Sequence, residues 1–399
     1  MAQVRLIQDT HYWSTFSKYF TWRNVPMYRY TTRSLLTLMG YSQGCIKMLQ
    51  ETGFQCFTKG TGNAGTVLQM SRTHIAMEES FYCFKTGFHT LIEELRKAVE
   101  MLAGGNLEIR TDNKLVTIHP RLRVVGAEDG PCRIEVQDVG VPTDSYLQPS
   151  ISTYRVKSLI LAIPRRALEA VRVEGMHYQE RVSFSRLLNS VCDVPMTKIN
   201  LYFQSPWWNP KQFKNKLYGC STTSLPISQV YPWYSQPGGE ESNNGGLYDV
   251  IYPELCALTI YCDIENSGFW SDLQNIPGLF SSELQLKYCN LNSASLEVVK
   301  EALKELKLLF NDKDVPYPVL ATYTRWAGCP TDCGNPVAIH QWRRDVDEAA
   351  VQRAITKPIK GSNVFVCNEA WSSFQGWVEG SLMAAKRVTD MFPGHVIRM

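Results

Sequence analysis

An excess of either charge is missing: 41 Lys and Arg against 38 Asp and Glu leave a formal net charge of +3 over 399 residues. With no Lys/Arg block either, the electrostatic footprint of a nucleic-acid binder is absent. Long apolar runs are missing too. Charge interrupts the longest helix-like stretches well short of the roughly 20 residues of a membrane span. The opening MAQVRLIQDTHYW lacks the apolar core of a secretory leader. Cysteine is sparse, at 12, and no CxxC pair occurs. The closest spacing, Cys329 and Cys333 in CPTDC, lacks the second ligand pair that a metal site needs. These absences predict reduced thiols, a cytoplasmic location and no metal. What is present is ordinary for a packed globular protein, 44% hydrophobic and 20% charged, with length for two or three domains.

Along the chain, Thr31 to Ala64 reads as short helices separated by Gly and Ser breaks. From Phe81 an apolar strand-like run leads to Gly87, and Leu91, Leu95 and Val99 then recur at helical spacing. LEIRTDNKLVTIHP predicts two short strands around a turn at Asp112-Asn113. Cys132 to Val139 alternates as a half-buried strand, and Val156 to Pro164 is a continuous apolar run, as buried strands are. Thr197 to Trp208 places Ile199, Leu201 and Phe203 on one face. Ser235 to Gly246 is a loop, Leu255 to Asp263 a buried strand, and Ser295 to Phe310 an amphipathic helix behind a Ser cap. Asn363 to Ala370 is a strand, followed by a helix between Gln375 and Met391. The fold class is a mixed α/β arrangement, without internal repeats.

The C-terminal strand–turn–helix carries the most chemistry. VFVCNEAWSSFQGWVEGSLMAAKRV puts the acid Glu369 at a strand exit and Gly376 where backbone must come close to something. Glu379, Gly380 and Ala384 then open a helix with small residues on one side. A helix N-terminus offers free N–H groups and the positive end of a dipole, suited to phosphate or an electron-rich ring edge. A tight packing corner is the plain alternative. A GxGxxG also occurs, at Gly60, Gly62 and Gly65, with Glu79 at about the spacing of a ribose-binding acid. Lys59 interrupts the strand that should precede it, and little room remains for a helix and second strand before Glu79. A plain Gly-rich loop is favoured over a phosphate or NAD loop.

The C-terminal segment resembles the flavin signature of the flavin amine oxidases, a family that includes monoamine, polyamine and L-amino acid oxidases and tryptophan monooxygenase-like enzymes. FKTGFHTLIEEL, VTIHP, VKSLILAIP, PMTKINLYFQSPWW and TRWAGCPTDCGNPVAIHQW resemble further family segments in the family's order, closest to the L-amino acid oxidase branch. The resemblance implies FAD as cofactor and a small amine or amino acid as substrate, oxidised by hydride transfer to the flavin with O2 as acceptor. Lys198 matches the lysine that holds a water near the flavin. Trp377 matches the aromatic wall beside the substrate, with Trp342 or His340 opposite. Glu369 matches the acid on the ribityl chain, and Gly376, Val378, Glu379, Val116 and Trp326 fall at cofactor-contacting positions. Such chemistry asks for orientation, charge placement and exclusion of water rather than an acid–base–nucleophile triad.

One family feature is not found: the opening βαβ unit with its GxGxxG. The chain therefore looks like the C-terminal two-thirds of an oxidase. It is expected to have an incomplete FAD-binding Rossmann-like domain (75–170 with 355–399), a mixed-sheet substrate domain (171–354) and a helical region (1–74). A partner chain supplying the missing segment would complete it, and a non-catalytic scaffold keeping the fold without the cofactor is the alternative. An amino-acid substrate would need a carboxylate-binding arginine, which the sequence leaves open among Arg23, Arg29, Arg33 and Arg72.

Overall fold

The computed structural model describes residues 19–51, 62–68, 88–120, 131–140, 150–208, 220–233, 255–288, 292–327 and 337–391. The Phe81 strand, the Ser235–Gly246 loop, Cys329 and Cys333, Gly60, Glu79 and Arg72 lie outside these residues.

Helices α1 (Thr32–Leu38), α2 (Gln43–Glu51) and α3 (His89–Ala103) come first. Thr31 caps α1 reciprocally with Ser34, a capping box that satisfies two otherwise orphaned donors. The period read at Leu91, Leu95 and Val99 does form a helix, but no residue of α3 is buried. Strands β1 (Asn113–His119), β2 (Cys132–Asp138) and β3 (Ile151–Val156) form an antiparallel meander, followed by β4 (Leu159–Leu161) and α4 (Arg165–Ala170). Strand β5 (Arg172–Val173) joins β1 in parallel. The strand expected before Asp112 does not form. Asp112 turns with φ +56°, and Leu107 to Thr111 are exposed and join no strand among the described residues, while β2 occupies one edge of β1 along its length.

After α5 (Tyr178–Leu188) and β6 (Val191–Val194) comes the central strand β7 (Met196–Phe203), then β8 (Ser221–Thr222), β9 (Gln229–Trp233) and β10 (Cys256–Asp263). Helices α6 (Ile264–Gln274) and α7 (Leu296–Phe310) precede β11 (Leu320–Trp326). Five of these strands make one antiparallel sheet in the order β8-β9-β10-β7-β11. The alternation read in β7 is real: Ile199, Leu201 and Phe203 are buried against α6, α7 and their neighbours Trp208 and Trp270. Lys198 and Asn200 consequently point to the opposite face, since successive side chains alternate.

Helix α7 shows how local residues set both ends of an element. The Ser295 hydroxyl accepts the Val298 N–H at 3.1 Å, and Asn311 closes the helix with φ +50°. Val298, Ala302, Leu306 and Phe310 face the core, and so does Glu305, at 3% exposure. Its carboxylate group accepts the Ile227 N–H at 2.8 Å, and burial pushes its pKa up to about 7. A carboxyl held above its unfolded value favours folding below that value and loses the advantage as pH rises through the folded one. Wild type should therefore lose about 2 kcal/mol of stability between pH 4.5 and 8 from this group, after a discount for solvent screening. Glu305→Gln keeps the acceptor and should abolish that part of the slope. Parallel urea-denaturation slopes for the two chains would show Glu305 uninvolved.

The remaining elements are β12 (Ile339–Trp342), α8 (Glu348–Thr356), β13 (Val364–Val366), a 3-10 turn (Glu369–Trp371) and α9 (Val378–Thr389). Strand β13 pairs in parallel with β4, and β12 antiparallel with β6. Far apart in sequence, β4 and β13 share a second core with Leu168, Phe184, Val191, Trp342 and Trp371. The class is mixed α/β. Parallel pairing among the described residues is limited to β13–β4, β5–β1 and one isolated bridge between Ser228 and Tyr261, too little to define a doubly wound domain.

Candidate active site

The C-terminal corner is held by two buried tryptophans. Trp342 Nε1 donates to the Ser372 carbonyl at 3.0 Å, and Trp371 Nε1 donates to the Leu187 carbonyl at 3.2 Å. Between them Asn368 caps the 3-10 turn by accepting the Ala370 N–H at 2.8 Å. The strand expected through Ala370 thus stops at Val366, and the turn takes over at Glu369.

That turn aims the Glu369 carboxylate at two donors. His340 Nδ1 lies 3.0 Å from both carboxylate oxygens, and the Gly376 N–H reaches Oε1 at 3.3 Å. Gly376 has φ +81°, in the region that favours glycine, and a Cβ there would stand 3.1 Å from Ile339 Cγ1. Trp377 follows with extended backbone, and α9 starts at Val378, where the first N–H groups of a helix lack an acceptor one turn back, while that of Gly380 bonds the Trp377 carbonyl at 3.0 Å. Pro164, Ala338, His340, Glu369, Gly376 and Trp377 help to line a hollow of about 200 Å³. Val378 also lines it, Trp377 is half exposed at 52%, and Glu379 is exposed on the first turn.

The structure thus brings together Glu369, His340, Gly376, Trp377 and Val378. It separates the others. Of the two residues offered opposite Trp377, His340 lines the hollow, whereas Trp342, at 1% exposure, has its indole in the core and does not. Val116 is half-buried at the bulge between Leu115 and Thr117 of β1, in another sheet. Lys198 does not line the hollow either. Its Nζ stands 5.3 Å from the Tyr261 ring centroid, and burial lowers its pKa. Tyr261 packs in a small cluster with Val194, Met196, Trp326, Ala338 and Ile339, and Ile339 abuts Gly376. Lys198 and Trp377 are therefore connected through one apolar cluster, with Trp326 a member of it, rather than by a shared cavity. A larger hollow, about 650 Å³ between α4, β5 and α5, contains none of the predicted site residues.

The GxGxxG finds another use. Gly62 pairs with Arg343, the Asn63 N–H donates to the Trp342 carbonyl at 2.9 Å, and a Cβ on Gly62 would meet Gln341 Oε1 at 2.8 Å. Asn63 Oδ1 accepts the Thr66 N–H at 2.8 Å. Gly62 is needed for close approach to the strand bearing His340, which leaves no phosphate cradle at that residue. The arginines are occupied as well: Arg23 donates to the Leu38 carbonyl, Arg33 to Gln43, and Arg29 faces Asp345 at 3.9 Å. Gly40-Tyr41-Ser42-Gln43-Gly44 has the spacing of a hydrolase nucleophile elbow, which the sequence reading passed over. It joins two helices instead of a strand and a helix, and Ser42 Oγ accepts the Cys45 N–H at 3.2 Å. It is a helix start.

Sequence reasoning also missed Arg165, Arg166 and Asp193. Asp193 Oδ2 receives Arg165 at 3.1 Å and Arg166. A lone acid in the apolar strand VCDV was the available signal.

No family model matches the chain. Achacin of Lissachatina fulica is 22% identical over 310 residues, covering 76% of this chain and 53% of achacin. A Dictyostelium discoideum protein provisionally named a bifunctional amine oxidase is 26% identical over 380 residues, covering 90% of this chain and 29% of that protein. The chain thus spans about half the length of the first and under a third of the second. These similarities are distant homology to the flavin amine oxidase family.

Proposed function

We propose that this distant homologue of the flavin amine oxidases is the C-terminal portion of an FAD-dependent oxidase of amines or L-amino acids. The observation that carries the reading is the corner where Glu369, anchored by His340 and the Gly376 N–H, stands before the open end of α9 beside Trp377. The donor set suits FAD. A carboxylate accepts hydroxyls of a ribityl chain, and the first N–H groups of a helix face an electron-rich ring edge. Gly376 and Gly380 let the turn and the start of α9 pack closely on Ile339, Ser372 and Phe374, which fixes the helix opening at the hollow. FAD, when bound, supplies the two-electron acceptor. The chain's own residues do the rest: Glu369 orients, the N–H groups of Val378 and Glu379 stabilise negative charge, and Trp377 walls the substrate side. Lys198, in this reading, holds a water at the apolar cluster shared by Trp326 and Ile339.

Gly62 is committed to the His340 strand, so the nucleotide half of FAD is assigned to a segment beyond the described residues, in the same protein or a partner chain. A cytoplasmic setting is part of the proposal. The second reading, a scaffold without cofactor, draws on one observation: Lys198 does not line the hollow beside Trp377.

FAD titration into the chain, alone and with a nucleotide-binding segment supplied in trans, separates the two. The expected result is a yellow protein that releases hydrogen peroxide with an amine or amino acid. A colourless chain in both mixtures supports the scaffold and removes the oxidase.

A further inference from the structure

Resting on the reading that Glu369 receives the cofactor, we propose that His340 is a positioning residue for the Glu369 carboxylate. His340 is 1% exposed, and its ring joins two acids that lie on different elements. An ionised carboxylate can only accept, so Nδ1 carries the proton it donates to Glu369, 3.0 Å from each oxygen. Contact with both oxygens fixes the plane of the carboxylate as well as its place. Nδ1 is shared between the two oxygens and the Gly376 N–H takes a further position on Oε1, which leaves Oε2 with acceptor capacity for a ligand hydroxyl.

On the far side of the ring, Nε2 has no hydrogen-bond partner among the described residues, and neither has Asp193 Oδ1, 3.6 Å away. His340 and Asp193 stand directly opposite on β12 and β6, so the strand register imposes their approach. Asp193 is held in turn by Arg165 and Arg166, and Arg165 also donates to Glu169 and Asn189. A buried, unpartnered ring nitrogen is costly, and a side chain present only to fill space would be apolar. The same ring placed to steer a carboxylate has a reason to be histidine. Asp193, held by Arg165, thus lies behind the ring, and Glu369 lies in front of it at the edge of the hollow.

The test is amide exchange at Gly376 in the cofactor-free chain. His340→Phe should raise the Gly376 exchange rate about tenfold, matching Glu369→Leu, and the double variant should exchange no faster than either. His340→Asn, whose amide nitrogen stands near the position of Nδ1, should restore protection to within about threefold of wild type. Wild-type exchange in His340→Phe, or additive effects in the double variant, would overturn the proposal. Should His340→Phe not fold, His340→Gln carries the test: its amide sits nearer Nε2, so faster Gly376 exchange supports the role and unchanged exchange removes it. Added FAD should slow Gly376 exchange in wild type. Its failure to do so at saturating concentration would remove the cofactor assignment alone, because the histidine–glutamate coupling is read without it.

Discussion

Gly380→Ala is expected to destabilise the chain by about 3 kcal/mol or more and to abolish FAD retention. A Cβ at this position would stand 2.2 Å from the Phe374 carbonyl oxygen and 2.3 Å from Ser372 Oγ, inside any van der Waals contact. Neither atom can yield cheaply. Ser372 Oγ accepts the Phe374 N–H at 3.1 Å, and the Ser372 carbonyl is held by the buried Trp342 indole at 3.0 Å. The Gly380 N–H bonds the Trp377 carbonyl at 3.0 Å, so relief by moving α9 would pull Trp377 with it. Gly268 is the control, mid-helix in α6 with no described residue within 4 Å of its Cβ position. There alanine should stabilise by about 0.5–1 kcal/mol through backbone entropy alone. Urea denaturation of the two variants checks both. A Gly380→Ala chain within about 1 kcal/mol of wild type would mean that the corner between Ser372 and α9 is not the rigid cradle described.

Such contrasts mark how far the sequence could be read. Local signals sufficed where a period or a cap acts within a few residues: the face of β7 carrying Ile199 and Leu201, the Ser295 start of α7, the helix after Gly376. They failed where the decisive partner is remote. The family resemblance made Trp342 a candidate substrate wall, and nothing near it in sequence marks it as a buried bolt, because its partner is the Ser372 carbonyl thirty residues on. The Gly60–Gly65 spacing favoured a plain loop over a phosphate site, but only the pairing of Gly62 with Arg343 shows what that glycine is for. Asp193 had no local pattern at all, since its meaning comes from Arg165 on one side and His340 on the other. Glu305, at an inward position of an amphipathic helix, betrays its burial in the period, but only the Ile227 N–H explains why an acid is tolerated there.

Lys198→Met should move stability and activity in opposite directions. The substitution keeps length and removes a charge that burial disfavours, and this desolvation lowers the lysine pKa. The compensation visible in the structure is the Tyr261 ring, 5.3 Å from Nζ to centroid, which also packs well against a thioether. For a lysine whose folded pKa lies below its unfolded value, the unfolded state binds more protons, so the penalty is full below the folded pKa and fades as pH rises toward the unfolded one. The Lys198→Met chain is therefore expected to melt above wild type at pH 7, and the gap should narrow in alkaline buffer. If Lys198 holds a reacting water beside the cofactor, amine-dependent oxygen uptake should fall about a hundredfold in the same variant, the usual cost of losing one preorganised donor. A residue kept at the expense of stability and needed for turnover is what a working site requires. Raised melting temperature with unchanged oxygen uptake would instead assign Lys198 to the sheet surface and strip the oxidase reading of its only candidate for that step.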